Sequence, residues 1–536
     1  MARSCREASG MLRRALASRS SEAAIISTRV SLPRGSIPPS PASSSSSSSS
    51  REGRRPRFFS TTTTCAERPV DDDEWETVVG LELHVQIGAK TKLFSGAERL
   101  YGAEANANVA PFDAALPGSL PAVNARAVEL AARLGFALGA HVQSRSSFDR
   151  KHYRYPDLPH GYQITQQRSP IALGGSLDVF VDEKAVGGVG GADDGSKRRT
   201  LRVERLQLEM DTGKSLKASD GATTVDLNRA GSTLVEIVTA PDLRGAEEAA
   251  SAAETFQKIV RFLGVGDANM EEGSMRVDVN VSHQTRDGAV VGERCEVKNL
   301  NSFRSIARAV AHERTRQIAL LERGTGVRRQ TRSFDPATGA TRNLRDKEAL
   351  LDYMFAPEPD LPPVVIEPAA LRAIKAAVPE LPSEADARLT RTRGLAPKLA
   401  RAIASRGPRT VACFDACADA ADAWAKRNGT DAPAAADVAN WVTGVLVGAV
   451  KRAGVTTRKG KGGSGGEPLR GLPESAGAAR VGELLARVAA SKSKGDSSIG
   501  TSPVGAGITA RMAKSVLAAM VSGDSRPIPE IATELF

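Results

Sequence analysis

The sequence predicts an α+β fold: a sheet-bearing part over residues 71–368, then an all-helical remainder split into a helical domain, 369–455, and a small tail domain, 476–536. Two observations carry that prediction. Four separated stretches before residue 300 alternate apolar and polar residues with period two, as strands with one dry face do. From about residue 370 the alternation stops, and the chain turns Ala- and Arg-rich with apolar residues at helical spacing.

In the first strand, VVGLELHVQI, Leu81, Leu83, Val85 and Ile87 share one side, and Glu82, His84 and Gln86 the other. In RLQLEMD, Leu206, Leu208 and Met210 oppose Arg205, Gln207, Glu209 and Asp211. In SMRVDVNVS, Met275, Val277, Val279 and Val281 oppose Arg276, Asp278, Asn280 and Ser282. In RCEVKN, Cys295 and Val297 oppose Arg294, Glu296 and Lys298. An antiparallel sheet ordinarily turns one polar face to water. Repeated short carboxylates beside a histidine and an asparagine, however, suit oxygen-ligand chemistry. If the four strands share a sheet, its open polar face is a cradle for a metal ion and phosphates.

Between and after these strands, helical spacing is clear in AVELAARLGFALGA near 127–140. It recurs in AEEAASAAETFQKIVRFLGVG, acidic at its start and stopped by Gly264 and Gly266, and from Phe303 to Glu322. The interval 186–197 is a Gly-rich surface excursion. The Pro-rich passage 357–368 closes the sheet-bearing part as a hinge, with Pro357, Glu358, Pro359 and Asp360 fixing a turn. Beyond it, ADVANWVTGVLVGAV and ITARMAKSVLAAMVSG read as short amphipathic helices, separated by a low-complexity linker over 456–475.

A length of 536 residues implies two or three domains. No stretch approaches the roughly 18 consecutive apolar residues needed to span a bilayer, so no membrane is expected among its partners. The net charge of +11 sits mostly in the first 66 residues, where eleven arginines face three acids. It is therefore weak support for nucleic-acid binding by the rest. That Arg- and Ser-rich, acid-poor segment fits an organellar transit peptide over 1–70, mitochondrial, plastid or dual. Five cysteines (Cys5, Cys65, Cys295, Cys413, Cys417) form no CxxC pair, which points to a reducing compartment, with Cys413 and Cys417 as core.

Several familiar motifs fail. TGKS at 212–215 has the ending of a phosphate loop, but Leu208 stands where that loop needs glycine. The glycines near 187 lie in the excursion and support no dinucleotide fold. Neither a GxSxG elbow between a strand and a helix nor a Ser-Lys amidase frame is recognisable, so the chain is not expected to generate its own ammonia.

Five longer strings stand out: FDRKHYRYPDLPHGYQITQ, VDLNRAGSTLVEIVTAPD, MEEGSMRVDVNVS, EVKNLNSF and APEPDLPP. Together they resemble the GatB/GatE family, the B subunits of the glutamyl-/aspartyl-tRNA amidotransferases, in its organellar form. The resemblance is dense over 76–365 and loose beyond. It implies a central antiparallel-sheet cradle, a helical domain and a tail domain that grips tRNA. It also implies a heterotrimer, in which an A subunit (amidase) releases ammonia from glutamine and a C subunit holds the pair together. The B subunit would use ATP and Mg²⁺ to phosphorylate the side-chain carboxylate of Glu-tRNA(Gln), with Asp-tRNA(Asn) open as a second substrate. Ammonia would then displace the phosphate.

The polar strand faces, together with the resemblance, make Glu82, His84, Glu209 and Asp278 the expected metal ligands, with Asn280 close by. Arg276, Glu296, Lys298 and Glu272 would complete the rim, and Lys151 and Tyr153 would lie at the site's mouth, near the ammonia passage. Arg345, Lys347 and Glu348 stay open between substrate contact and surface stabilisation. Two departures stand out. Met210 replaces a carboxylate of many bacterial relatives, but its strand phase puts it on the dry face. Four zinc-binding cysteines of many relatives correspond here to Ser95, Ala97, Ala110 and Asp113, so ordinary packing and no zinc is expected. The family tail usually runs on past the position of Phe536, which leaves tRNA recognition by this chain open. Two rival readings remain: a stand-alone carboxylate–amine ligase, lacking a nucleotide fold or ammonia source here, and a non-catalytic tRNA-binding scaffold, against which the intact polar residues argue.

Overall fold

Ten strands join in the sheet that organises the first part of the chain. The computed structural model describes residues 74–182, 196–217, 221–286, 292–346, 353–454, 469, 472–493 and 508–536. The expected presequence, most of the 186–197 excursion and most of the 456–475 linker lie outside these residues, as do Cys5, Cys65, Lys347, Glu348 and the Arg345 side chain.

Across the sheet the order is Ala340–Asp346, Gln330–Asp335, Cys295–Leu300, Met275–Thr285, Trp75–Gln86, Thr233–Thr239, Ser196–Met210, Ala172–Leu173 and His141–Val142. The tenth strand, Ser176–Asp182, pairs with the first half of the long strand Ser196–Met210. All four expected strands are in this sheet. It is not wholly antiparallel. Cys295–Leu300 and Gln330–Asp335 run parallel, joined through the helix Phe303–Glu322, because parallel neighbours need a crossover connection.

The expected strand phase holds. Leu81, Leu83, Val85, Leu206, Leu208, Met210, Val277, Val279, Val281, Cys295 and Val297 are all buried. Helices Ala125–Ala137, Ala246–Phe262 and Phe303–Glu322 contribute to the same core. Asn124 caps the first by accepting from the amides of Arg126 and Ala127, and Ser302 caps the third through Ser305 N.

Beneath the third helix a buried polar network ties it to the sheet. His283, fully buried, faces Thr77 Oγ1 at 3.2 Å and Gln317 Oε1 at 3.1 Å. Gln317 Oε1 can only accept, so Nδ1 donates and Nε2 accepts from the threonine. Burial holds this imidazole's pKa down at about 4, partly opposed by the Gln317 hydrogen bond. Between the free value near 6.5 and that value, the unfolded chain takes up a proton the folded chain refuses. Stability from this group is therefore whole above pH 6.5 and lost as pH falls toward 4, by up to ~3 kcal/mol. His283→Gln should reduce the drop in unfolding free energy between pH 7 and pH 5 by about 2 kcal/mol, read by denaturant titration.

The polar side of the sheet is not open, contrary to the expectation. A second sheet of Met354–Pro357, Asp149–His152 and Tyr162–Thr165 closes over one end of it. Gln163 Nε2 donates to Met210 O at 2.7 Å, and the Leu208 amide donates to Gln166 Oε1 at 3.0 Å. Gln207, Glu209 and Asp211 are consequently buried rather than solvated. The expected turn at 357–360 does more than bend the chain. Arg150 grips Glu358 through two hydrogen bonds of 2.9 Å and reaches Asp360 at 3.0 Å, which anchors this roof.

Nor is the packing around Ser95, Ala97, Ala110 and Asp113 ordinary. Lys92 and Asp113, both side chains without solvent exposure, form a 2.9 Å ion pair. Asp113 Oδ2 also accepts from Ser95 Oγ at 3.1 Å and the Ala110 amide at 2.9 Å. Gly231 sits against it at φ +78°, where a Cβ would lie 2.6 Å from Asp113 Oδ1, so glycine is required both for conformation and for space.

The helical remainder has its own core, running from Ala385 to Ala532. Helices on both sides of the 456–475 segment contribute to it, whereas Leu371, Ile374, Val378 and Leu381 pack on the sheet-bearing core. Pro368, Pro382, Pro397 and Pro408 each open a helix, where proline's missing N–H costs nothing. ADVANWVTGVLVGAV is not one regular helix: a π segment, Trp441–Leu446, separates Ala435–Asn440 from Val447–Arg452. Cys413 and Cys417 lie in this core as free thiols. Among the described residues, no helix is long and apolar enough to cross a membrane.

Candidate active site

Strand register assembles the polar face row by row. Trp75–Gln86 sets Glu82 opposite Asp278 on one neighbour and His84 opposite Glu236 on the other. Glu236 in turn faces Gln207, one step from Glu209 on the polar side. The imidazole becomes the hub. His84 Nε2 lies 3.4 Å from Glu209 Oε1, 3.7 Å from Glu82 Oε1 and 3.9 Å from Glu236 Oε2. Two donor sets share it: Glu82, His84 and Asp278, and His84, Glu209 and Glu236, the ligand atoms of each lying within 4.8 Å of one another.

Cations rim the cluster. Lys298 Nζ is 2.5 Å from Asp278 Oδ2 and 2.8 Å from Glu296 Oε1. A bulge aims it there: the register shifts between Val277 and Val279, and Asn299 takes the left-handed φ of +65°. Arg276 donates to Asp211 Oδ2 at 2.8 Å. Lys151 lies on the roof strand, its ammonium 4.9 Å above the Tyr353 ring. Among the described residues it has no carboxylate at ion-pair distance. Tyr153 packs between the Tyr155 and Tyr353 rings and donates to Gln163 Oε1 at 3.4 Å.

The electrostatics show a site short of positive charge. Burial raises Glu82, helped by Asp278 and opposed by Lys298. Burial likewise raises Glu209, opposed by Lys151, and raises Asp278, opposed by Lys298. Glu236 is pushed well up by burial and by Glu209 and Glu82 beside it. Burial, Arg276 and Lys298 hold His84 well below its ordinary value, so its imidazole is neutral at pH 7 and keeps a lone pair for coordination. Lys298 goes the other way: burial lowers it, but Asp278 and Glu296 outweigh that and raise it. Desolvated carboxylates around a neutral imidazole are a donor set for a hard divalent cation, and the residues fit one.

The structure thus brings Glu82, His84, Glu209 and Asp278 together, with Lys151, Arg276, Glu296 and Lys298 around them. Asn280 stands opposite Glu296, one row out on the same face. Glu272 is apart, on the turn before Met275–Thr285, and makes no ion pair with the cluster among the described residues. The member of the cluster that the sequence does not reveal is Glu236. Its strand is TLVEIVT, buried on both faces, so the period-two contrast that marks the other strands is absent. The signal was the single acid amid five β-branched residues and a leucine.

A sheet-borne face of carboxylates and one imidazole, roofed over and rimmed by cations, has the donor chemistry of an enzyme site that could hold a divalent cation and anionic groups. The GatB/GatE catalytic domain matches residues 77–372. The B-2 subunit of glutamyl-tRNA(Gln) amidotransferase, chloroplastic/mitochondrial, from Micromonas commoda is 86% identical over 484 residues, 90% of this chain and 88% of that protein. Its namesake from Micromonas pusilla is 58% identical, over 78% of this chain and 71% of its own length. The aspartyl/glutamyl-tRNA(Asn/Gln) amidotransferase B subunit of Sinorhizobium medicae is 42% identical, over 75% and 74%. The chain belongs to the GatB/GatE family of amidotransferase B subunits.

Proposed function

We propose that this chain is the ATP-using B subunit of an organellar, tRNA-dependent amidotransferase that converts Glu-tRNA(Gln) to Gln-tRNA(Gln). Relatives named as chloroplastic/mitochondrial glutamyl-tRNA(Gln) amidotransferase subunits support the substrate and the compartment. The observation that carries the chemistry is the His84-centred set of Glu82, Glu209, Glu236 and Asp278.

A free carboxylate is a poor acyl donor, because its leaving group would be oxide. Transfer of the γ-phosphoryl group of ATP to the glutamyl side chain gives an acyl phosphate and ADP. Ammonia then forms the C–N bond, the C–O bond to phosphate breaks, phosphate leaves with the electron pair, and the new nitrogen loses a proton. Mg²⁺, when bound by His84 with Glu209, Glu236, Glu82 and Asp278, supplies neutralisation of phosphate oxygens. Lys151, with no carboxylate at ion-pair distance among the described residues, binds incoming negative charge from the roof side. Lys298 is kept protonated by Asp278 and Glu296, so its charge is constant across physiological pH. The roof keeps water from the Glu209 end, where a reactive acyl phosphate would otherwise hydrolyse. Ammonia comes from an A subunit, since this sequence carries no amidase frame of its own, and a C subunit completes the assembly.

The test is conversion of Glu-tRNA(Gln) to Gln-tRNA(Gln) by the chain assembled with A and C partners, given ATP, Mg²⁺ and added ammonium. Product without glutamine is expected, with ADP and phosphate formed in step. An intact assembly that makes no product would leave the scaffold reading instead. Offering Asp-tRNA(Asn) in parallel decides whether it too is amidated.

A further inference from the structure

A run of hydrogen bonds leads from Arg205, on the long strand Ser196–Met210, to two of the buried carboxylates, and its first member fixes its direction. Arg205 can only donate, and gives its Nε hydrogen to Gln207 Oε1 at 3.0 Å. That orients the amide, with Nε2 turned toward the cluster. Both Nε2 hydrogens are used, one by Glu236 Oε2 at 2.8 Å and one by Thr165 Oγ1 at 3.1 Å. The Thr165 hydroxyl, accepting from Gln207, directs its own proton to Glu209 Oε2 at 3.2 Å. Every bond in the run is directed toward the two carboxylates, and none runs back.

Gln207 and Thr165 are buried, so neither amide nor hydroxyl has bulk water as an alternative partner. The consequence for Glu209 is specific. Its Oε2 is tied to Thr165, which leaves Oε1 as the oxygen facing His84. Glu236 is held through Oε2, the oxygen nearest the imidazole, with its second lone pair unused by the amide. Without these donors, Glu209 and Glu236 would lose the bonds that fix which oxygen of each faces His84.

We infer that Gln207, acting with Thr165, is a positioning residue that sets Glu209 and Glu236 for the divalent cation; this rests on the cation reading of this face. Partners of metal ligands typically contribute 10- to 100-fold in metal affinity. The probe is Mn²⁺ alone, its binding to the assembled complex followed by the electron paramagnetic resonance signal of the free ion. Thr165→Val, nearly isosteric, and Gln207→Leu are expected to weaken Mn²⁺ binding about 10- to 100-fold, while Thr165→Ser, which keeps the hydroxyl, stays within about threefold. A purely structural role would lower the unfolding temperature and leave Mn²⁺ affinity in place. If Gln207→Leu fails to assemble, Thr165→Val decides alone. Binding within about threefold in Thr165→Val, beside a Glu209→Gln control that has lost it, overturns the relay. Binding retained in the Glu209→Gln control overturns the cation reading itself, and the relay with it.

Discussion

Glu209→Gln is expected to abolish amidation, by at least about 10³-fold or ~4 kcal/mol of transition-state stabilisation, while leaving the fold intact. The carboxylate sits 3.4 Å from His84 and is bonded by Thr165, so a glutamine of equal size fills the space and can still accept from the threonine. What it lacks is charge, the property phosphate chemistry around a cation requires. The effect on stability has the opposite sense. Burial raises the Glu209 pKa above its unfolded value. Over that window the folded chain holds more protons than the unfolded one, so stability falls as pH rises from the unfolded value through the folded one. Glutamine has no such titration. Without Mg²⁺, at mildly alkaline pH, the variant should melt at or above the temperature of the unaltered chain. Its melting temperature should also fall less as the pH is raised from mildly acidic values. Activity is read with added ammonium in the assembled complex, melting by thermal denaturation. A Glu209→Gln chain that amidates normally would sink the assignment, and one that melts lower would show that packing rather than charge was removed.

The second large effect concerns stability alone. Breaking the Lys92–Asp113 pair from either side leaves a buried charge without its partner, a change that costs about 3–5 kcal/mol. For the roughly 300 residues of the sheet-bearing part, that corresponds to a melting temperature lower by about 5–8 °C. Lys92→Met strands Asp113, whose remaining donors are Ser95 Oγ and the Ala110 amide. Asp113→Asn strands Lys92, whose other partner is Leu227 O at 3.3 Å. The double variant removes both charges, so it should be less destabilised than the sum of the single ones by more than about 1 kcal/mol. Additive losses in that cycle would mean that shape, not the ion pair, holds this corner together.

Legibility from sequence followed the length and one-sidedness of each element. Glu82, His84, Glu209 and Asp278 can be placed because long strands alternate around them, and every apolar neighbour in those ladders is buried. The same phase puts Met210 on the dry side, where the structure has it. Glu236 escapes because Leu234, on its own face, is as buried as the residues behind it. The roof escapes because strands of four residues, Asp149–His152, Tyr162–Thr165 and Met354–Pro357, are too short to show a period. Lys92 and Asp113 are twenty-one residues apart with no local pattern, so only the fold reveals that they meet. Family strings supplied Lys151 and Tyr153, which no periodicity would have picked out.

The alternation on these strands also governs how the gene can change. Along Leu81, Glu82, Leu83, His84 and Val85, successive codons serve core and chemistry by turns. Deleting the codon for Gly80 would shift that ladder by one step, driving Glu82 and His84 into the apolar layer and lifting Leu83 and Val85 onto the acidic face. A single missense change alters one group; a lost triplet inverts them all. Length changes are therefore expected to be tolerated in the connections between strands and at bulges such as the one beside Asn299, where the out-of-step residue is absorbed.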